Sequence, residues 1–336
     1  LSQFERLTID DIARLAQVSR TTASMVLNGH AARYRIAKAT VERVLAVAAE
    51  HQFSPSQQAR ALRSKRSGTL GLVVPELTNS AHASLAQALE TQSRAAGYQL
   101  LIVTSDDDAE REQAAIAQLV ARQIEGLIVV PCTADAARYV TWARRLPLVF
   151  VDRRVDGCNI PWFVTDARAS TAALVAQTLQ AGCNEIVYFG GQSELSPSRD
   201  RLAGYRAGLA DGLCTEQTGW VLERDYRRSA GQAMLQQWHA QRHRYPQAIF
   251  TGAITLLEGV LAELIANQAL DHGVRLLTFD DHPLLDCLPV PVDAIAQDST
   301  RMAACSLAGV LALLAGNTPD SAWVPATLHR RSASPA

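Results

Sequence analysis

The chain has 336 residues, a net charge of −1, and 48% hydrophobic against 19% charged residues, a balance that suits two or three globular domains and excludes a disordered or collagen-like chain. No apolar run reaches the roughly 18 residues that cross a bilayer, and the polar start Leu1–Arg6 carries no signal peptide, so a cytoplasmic protein away from membranes is expected. Six widely spaced cysteines without a CxxC pair read as reduced thiols, with neither a disulfide frame nor a metal site.

Charge is unevenly spread. Residues 1–66 hold eleven Lys/Arg against five Asp/Glu, a net of +6, and the remaining 270 carry −7. A basic head on an acidic body suits a polyanionic partner for the head. In chain order, Thr8-Ile-Asp-Asp11 reads as a capping box opening a helix with Ile9, Ile12, Ala13 and Leu15 on its apolar side. Ala16-Gln-Val18 is a turn, and Ser19 caps a second helix that Asn28-Gly29 ends. A third helix, from about Thr40 to His51, buries Val41, Val44, Leu45 and Ala48. Pro55 breaks the pattern, and a short basic stretch runs to Arg66.

From Gly68 onward buried strands alternate with helices. Strands are expected at Thr69–Val74, Gln99–Thr104, Gly126–Val130, Leu148–Val151, Glu185–Phe189, Ala248–Phe250 and Arg275–Phe279. Helices are expected at Ser84–Ala96, Ala109–Arg122, Ala167–Gln180, Asp200–Ala210 and Leu256–Ile265. The pattern is that of doubly wound α/β sheets, and about 260 residues suit two lobes.

Two short helices joined by a tight turn, with small polar residues early on the second, suit a helix-turn-helix whose second helix enters the major groove. Arg20, Thr21 and Thr22 are then expected at base edges, with Ser19 and Ser24 near phosphates. In the body, Asp152-Arg153, Asp166, Arg201 and Asp280-Asp281 follow strand ends or start a helix, where open sheets bind ligands. Carboxylates accept hydrogen bonds from sugar hydroxyls, and arginine forks hold hydroxyl or phosphate oxygens. Surface ion pairing is the plainer alternative for these residues. His239 and His243 have a metal-compatible spacing, but neighbouring Arg242 and Arg244 oppose a cation. GxGxxG, P-loop, GxSxG and HExxH signatures are absent, and the two lysines, Lys38 and Lys65, both lie in the head, so no enzyme is expected.

The segment from Leu7 to Asn28 resembles the DNA-binding head of the LacI/GalR family of transcriptional repressors. Arg63-Ser-Lys-Arg-Ser-Gly-Thr-Leu-Gly-Leu-Val-Val-Pro75, Val151-Asp-Arg153, Arg201-Leu-Ala-Gly-Tyr205 and Thr278-Phe-Asp-Asp281 extend the resemblance in family order. Within the family the chain is most similar to fructose repressors, through Ser19-Arg-Thr-Thr-Ala-Ser24, Tyr34-Arg35, Gly97-Tyr-Gln-Leu-Leu-Ile102 and Leu284-Leu-Asp286. It departs from them at Ser56, where an Asn is usual, at Ala37, where a Ser would cap a helix, at His82, where an aromatic residue is usual, and at Asp280, where Gly is usual.

The resemblance implies an all-α helix-turn-helix head over residues 1–54, a hinge helix over 55–67, and an α/β body over 68–336 with two periplasmic-binding-protein-like lobes of doubly wound parallel sheet. The first lobe spans about 68–163 and 298–322, the second about 164–297 and 323–333. It adds Thr8, Asn28 and Ala59 to the DNA contacts and makes Leu62 a wedge in the minor groove. Asp152, Arg153, Asp166, Arg201 and one or both of Asp280 and Asp281 fall in the inter-lobe effector cleft. The implied partners are double-stranded operator DNA, a second or further copies of the chain in a homodimer or homotetramer, and a sugar phosphate, fructose 1-phosphate or fructose 1,6-bisphosphate. No cofactor is implied. A sucrose or ribose repressor, a sugar-binding transport protein and a sugar kinase are the competing readings, and the missing leader and phosphate loop count against the last two.

Overall fold

The computed structural model describes residues 7–53 and 66–332, and the chain divides into two compact units, Leu1–Gly68 and Thr69–Ala336. The expected hinge contacts Ala59 and Leu62 lie outside the described residues, as does Lys65.

Among the described residues the first unit holds three helices, α1 (Ile9–Leu15), α2 (Arg20–Leu27) and α3 (Lys38–Glu50). Both halves of the capping box form at Thr8, whose hydroxyl accepts from the Asp11 N–H while the Asp11 carboxylate accepts from the Thr8 N–H. Gln17, in the left-handed region at φ 52°, turns the chain, and Ser19 caps α2 by accepting from the Thr22 N–H. α3 starts at Ala37 without a side-chain cap. Ile12, Ala13, Ala16, Ala23, Val26 and Val44 form the core. Leu15 and Leu45, expected inside, are 45% and 48% exposed. Counting from Ile12, positions 15 and 16 compete for the next inward place, and the fully buried Ala16 takes it. Beside it, Arg43 Nε donates to the Ala16 carbonyl at 2.9 Å, satisfying an orphan acceptor at the end of α1.

The second unit opens with β1 (Thr69–Val74), α4 (Ser80–Ala95), β2 (Gln99–Thr104), α5 (Ala109–Ala121), β3 (Gly126–Val129), α6 (Ala136–Ala143), β4 (Leu148–Val151) and β5 (Trp162–Thr165). A second series follows: α7 (Ala167–Gln180), β6 (Ile186–Gly190), α8 (Ser196–Asp211), β7 (Val221–Glu223), α9 (Arg228–Arg242), β8 (Ala248–Thr251), α10 (Ile254–Ala266), β9 (Arg275–Phe279) and β10 (Val292–Ala296). The chain then adds α11 (Ser299–Leu314), β11 (Ala322–Val324) and β12 (Thr327–His329).

Among the described residues two six-stranded sheets result, ordered β11-β5-β4-β3-β1-β2 and β12-β10-β9-β8-β6-β7. All pairings are parallel except β10 with β12. Strands such as β1, β3, β4 and β8 are buried along their whole length, which is why they read as unbroken apolar runs. Because β5 and β11 both pair in the first sheet, the chain passes between lobes after Thr165, after Ala296 and after Val324. The corresponding expected boundaries were 163/164, 297/298 and 322/323. Strand order reverses beside β1 in one sheet and beside β6 in the other, placing a ligand crevice at the carboxyl ends of these strands.

Candidate effector cavity and DNA-reading face

A cavity of about 350 Å³ opens between the lobes at the strand ends. Its lining residues follow strand ends of both sheets or lie on the helices that come next. Asp107 follows β2, Asp152 and Arg153 follow β4, Arg201 lies on α8 after β6, Asp280 follows β9, and Gln297 follows β10. The volume suits a small polar ligand.

Asp152 and Asp280 occupy matching places in the two lobes. Each is the first residue past its strand, and each sits in the left-handed region, at φ 63° and 72°. Few side chains accept that backbone; Asp and Asn tolerate it, and Gly takes it freely, which accounts for the Gly usual at the second position in the resembling repressors. Both carboxyls point into a setting dry enough to change their acidity. Burial pushes Asp152 up, but His82, Arg201 and Arg153 outweigh it and hold the carboxyl below its ordinary value. Burial dominates at Asp280 and raises it, against the opposing pull of Arg201 and the Gln297 amide, which donates at 2.6 Å.

The two arginines differ in what they have left to give. Arg153, 5% exposed, donates to both Asp107 oxygens at 2.6 and 3.4 Å and to the Pro131 carbonyl at 3.2 Å. Arg201, 6% exposed, donates one N–H to the Gly252 carbonyl and lies 3.8 Å above the Phe279 ring centre. Among the described residues its Nε has no hydrogen-bond partner. A buried guanidinium donor without a hydrogen bond is costly. His82, on α4, is also buried in the wall, with Nε2 3.8 Å from Asp152 and Nδ1 unpartnered.

Four of the six expected cavity residues thus meet: Asp152, Arg153, Arg201 and Asp280. Asp166 does not. Its carboxylate caps α7 through the Ala169 N–H, and its own N–H donates to Val324 at the lobe crossing. Asp281 points elsewhere as well, bonded to His329 Nδ1 at 2.6 Å and Arg331 at 2.9 Å. Consecutive residues leaving a strand diverge, so only one of the Asp pair can face the cleft. Asp107 and Gln297 were not expected. The acidic run Asp106-Asp-Asp108 directly after a strand could have signalled the first, whereas Gln297 follows a strand that the pattern did not reveal. His243 lies beyond α9 in the left-handed region, which breaks its helical register with His239.

On the head, Arg20, Thr21, Ser24 and Asn28 fall on one side of α2, opposite the inward Ala23 and Val26. Arg20 and Thr21 are exposed, and Arg20 pairs only loosely with Asp10 at 3.3 Å. Asn28 donates to the Ser24 carbonyl at 2.7 Å. Thr22, expected at a base edge, is half-buried on another side, its hydroxyl 2.8 Å from that of Ser19. Thr8 and Ser19 are both exposed helix caps.

A helical head with an exposed polar face and a two-lobed body around a polar cavity define a ligand-responsive DNA-binding protein. Residues 8–56 match the family described as bacterial regulatory proteins, lacI family, and residues 67–275 match periplasmic binding proteins and sugar binding domain of LacI family. The chain belongs to the LacI family and is a sugar-responsive, DNA-binding transcriptional regulator, not an enzyme. It is 42% identical to the sucrose operon repressor of Klebsiella pneumoniae, over 97% of this chain and 98% of that protein. It is 38% identical to the catabolite repressor/activator of Salmonella typhimurium, over 92% of each. The crystal structure of the Cra transcriptional dual regulator from Pseudomonas putida in complex with fructose 1-phosphate superposes with a TM-score of 0.73 at 32% identity, covering 79% of this chain and 99% of that one. The expected fructose subgroup is matched no better than a sucrose repressor. Among the described residues no helix is long and apolar enough to cross a membrane.

Proposed function

We propose that this regulator represses sugar-metabolism genes in the cytoplasm, bound as a homodimer or homotetramer to a two-fold operator, and leaves it when a fructose-type sugar fills the cavity. Arg20 and Thr21 read base edges, Ser19, Ser24, Asn28 and Thr8 position the head on the backbone, and the 55–67 hinge places Ala59 and Leu62 at the minor groove. Effector and operator prefer different lobe arrangements, so each weakens the other.

The observation that carries the effector reading is Arg201, a buried guanidinium whose Nε has no hydrogen-bond partner among the described residues and whose charge is held by the half-buried Asp152 and the buried Asp280. The carboxylates accept from ring hydroxyls, and Arg201 donates to an anionic or hydroxyl oxygen. Fructose 1-phosphate is the first reading, with the phosphate on Arg201 and Arg153. Free fructose is the second, favoured by the Asp107 carboxylate that already neutralises Arg153 and by a lining with three arginines against six carboxylates. Fructose 1,6-bisphosphate fits least, since its two phosphates would meet that acidic lining. A fructose unit is common to sucrose and fructose 1-phosphate, so the named relatives agree with either reading.

Calorimetry with fructose, fructose 1-phosphate, the bisphosphate and sucrose tests this. The 1-phosphate is expected to bind most tightly, because free fructose leaves a buried arginine unpaired, a penalty of roughly 2–5 kcal/mol. Equal affinity for fructose and its 1-phosphate would remove the phosphate role of the arginines, and no binding by any of the four would end the fructose reading.

A further inference from the structure

Just outside the cavity, the sequence neighbours of Arg153 and Arg201 are bonded to each other across the lobes. Arg154 follows Arg153 on the first-lobe segment between β4 and β5. Its guanidinium lies 4.9 Å from the Trp323 ring centre and 5.7 Å from that of Trp162, on β11 and β5, and the two indoles meet edge-on at 4.9 Å. Thus braced on the first lobe, it forks onto Asp200 of α8 in the second lobe, with Nη2 3.0 Å from Oδ1 and Nη1 on the other oxygen. Its backbone N–H donates to Ser196 Oγ at 2.8 Å, at the start of the same helix. Arg199 returns the link, donating to Asp156 at 2.7 Å.

Neither Arg154 nor Asp200 lines the cavity, and each side chain is only 16% exposed. An exposed ion pair would contribute little, but a two-pronged, charge-assisted pair held at this depth fixes geometry as well as energy. Asp200 directly precedes Arg201 on α8, so this contact sets how far Arg201 stands from Arg153. We infer that Arg154 and Asp200 form a positioning pair that joins the lobes beside the cavity and sets effector affinity without touching the effector, an inference that rests on the cavity reading above. The Asp200 carboxylate and, to a lesser extent, Asp156 also hold the Arg154 guanidinium in its charged form.

The test uses the full chain with Arg154→Gln, Asp200→Asn and the double variant. Titration with fructose 1-phosphate and with fructose should show each single variant about tenfold weaker, equivalent to roughly 1.4 kcal/mol. The double variant should be no weaker than either single one, because a shared interaction is lost only once. Unchanged affinity, or losses that simply add, would overturn the pair. Amide exchange on the sugar-free protein gives a readout independent of any effector. In Asp200→Asn, residues 153–157 of the first lobe should lose protection together with residues 195–201 of the second. Loss confined to α8 would show a local structural role and overturn the inference. If neither sugar binds the unaltered chain, the effector reading fails while the exchange experiment still decides whether the pair joins the lobes.

Discussion

The head and the cavity both use arginine beside small polar residues, in opposite physical settings. Arg20 stands in water with one loose acidic neighbour, and its side chain is 71% exposed. Arg201 is buried against Phe279 with a donor unspent. Removing an exposed arginine leaves its surroundings solvated, whereas removing a buried one strands the carboxylates that faced it. On the proposed function, sequence readout thus sits where substitution is tolerated by the fold, and effector sensing where fold and recognition depend on the same atoms.

Arg201→Met tests the buried side of that contrast most severely. It should abolish detectable effector binding and lower stability by on the order of 3 kcal/mol, because Asp152 and Asp280 lose a shared cation. Effector titration and urea unfolding check the two effects together. A variant as stable as the parent would mean that the carboxylates do not rely on Arg201.

Asp280→Asn separates recognition from folding. Asn accepts the left-handed backbone and can keep the Gln297 contact, so the fold should survive, while the lost charged acceptor should weaken the effector by roughly 2 kcal/mol. The pH sign follows from the raised carboxyl of Asp280, which binds its proton more tightly folded than unfolded. Its ionisation therefore erodes stability as pH rises from the ordinary carboxylate range through the raised value. Asp280→Asn should be more stable than the parent at neutral pH, with the gain disappearing in acid. Melting temperatures across pH decide this, and a variant less stable at pH 7 would contradict it.

On the exposed side the effects are smaller. Arg20→Ala should lose about 1–3 kcal/mol on operator DNA with little change on random DNA or in melting temperature. Equal loss on both DNAs would remove Arg20 from base reading. Ser19→Ala should cost about 1 kcal/mol of head stability through its cap, visible as earlier melting of the head, and an unchanged melt would leave the cap without weight.

The same contrast governs what could be read from the chain alone. Head signals are local. The Thr8–Asp11 box and the Ser19 cap lie within one helical turn of what they stabilise, so both helices are found where the pattern puts them. Buried strands with unbroken apolar runs, such as Thr69–Val74 and Arg275–Phe279, are equally legible. Five strands escape. Trp162–Thr165 is short and follows a proline, Val292–Ala296 contains the buried Asp293, and Val221–Glu223, Ala322–Val324 and Thr327–His329 have only three residues each. Asp293 needs Arg331 and Ser332 from the chain end to satisfy it, which no local window contains. Cavity residues share this difficulty. Loop pattern alone left Asp280 and Asp281 equivalent, and the divergence of their backbone separates them. The Arg153–Asp107 pair spans 46 residues, so the partner that neutralises the arginine is invisible until the sheet is assembled.

The central claim, that one molecule couples a sugar cavity to operator binding, is tested most directly by titrating fructose 1-phosphate into the operator-bound protein and following release by fluorescence anisotropy. The account predicts that saturating effector lowers operator affinity, and that operator lowers effector affinity by the same factor, as linkage requires. Operator affinity that stays constant while calorimetry shows the cavity filled would contradict it.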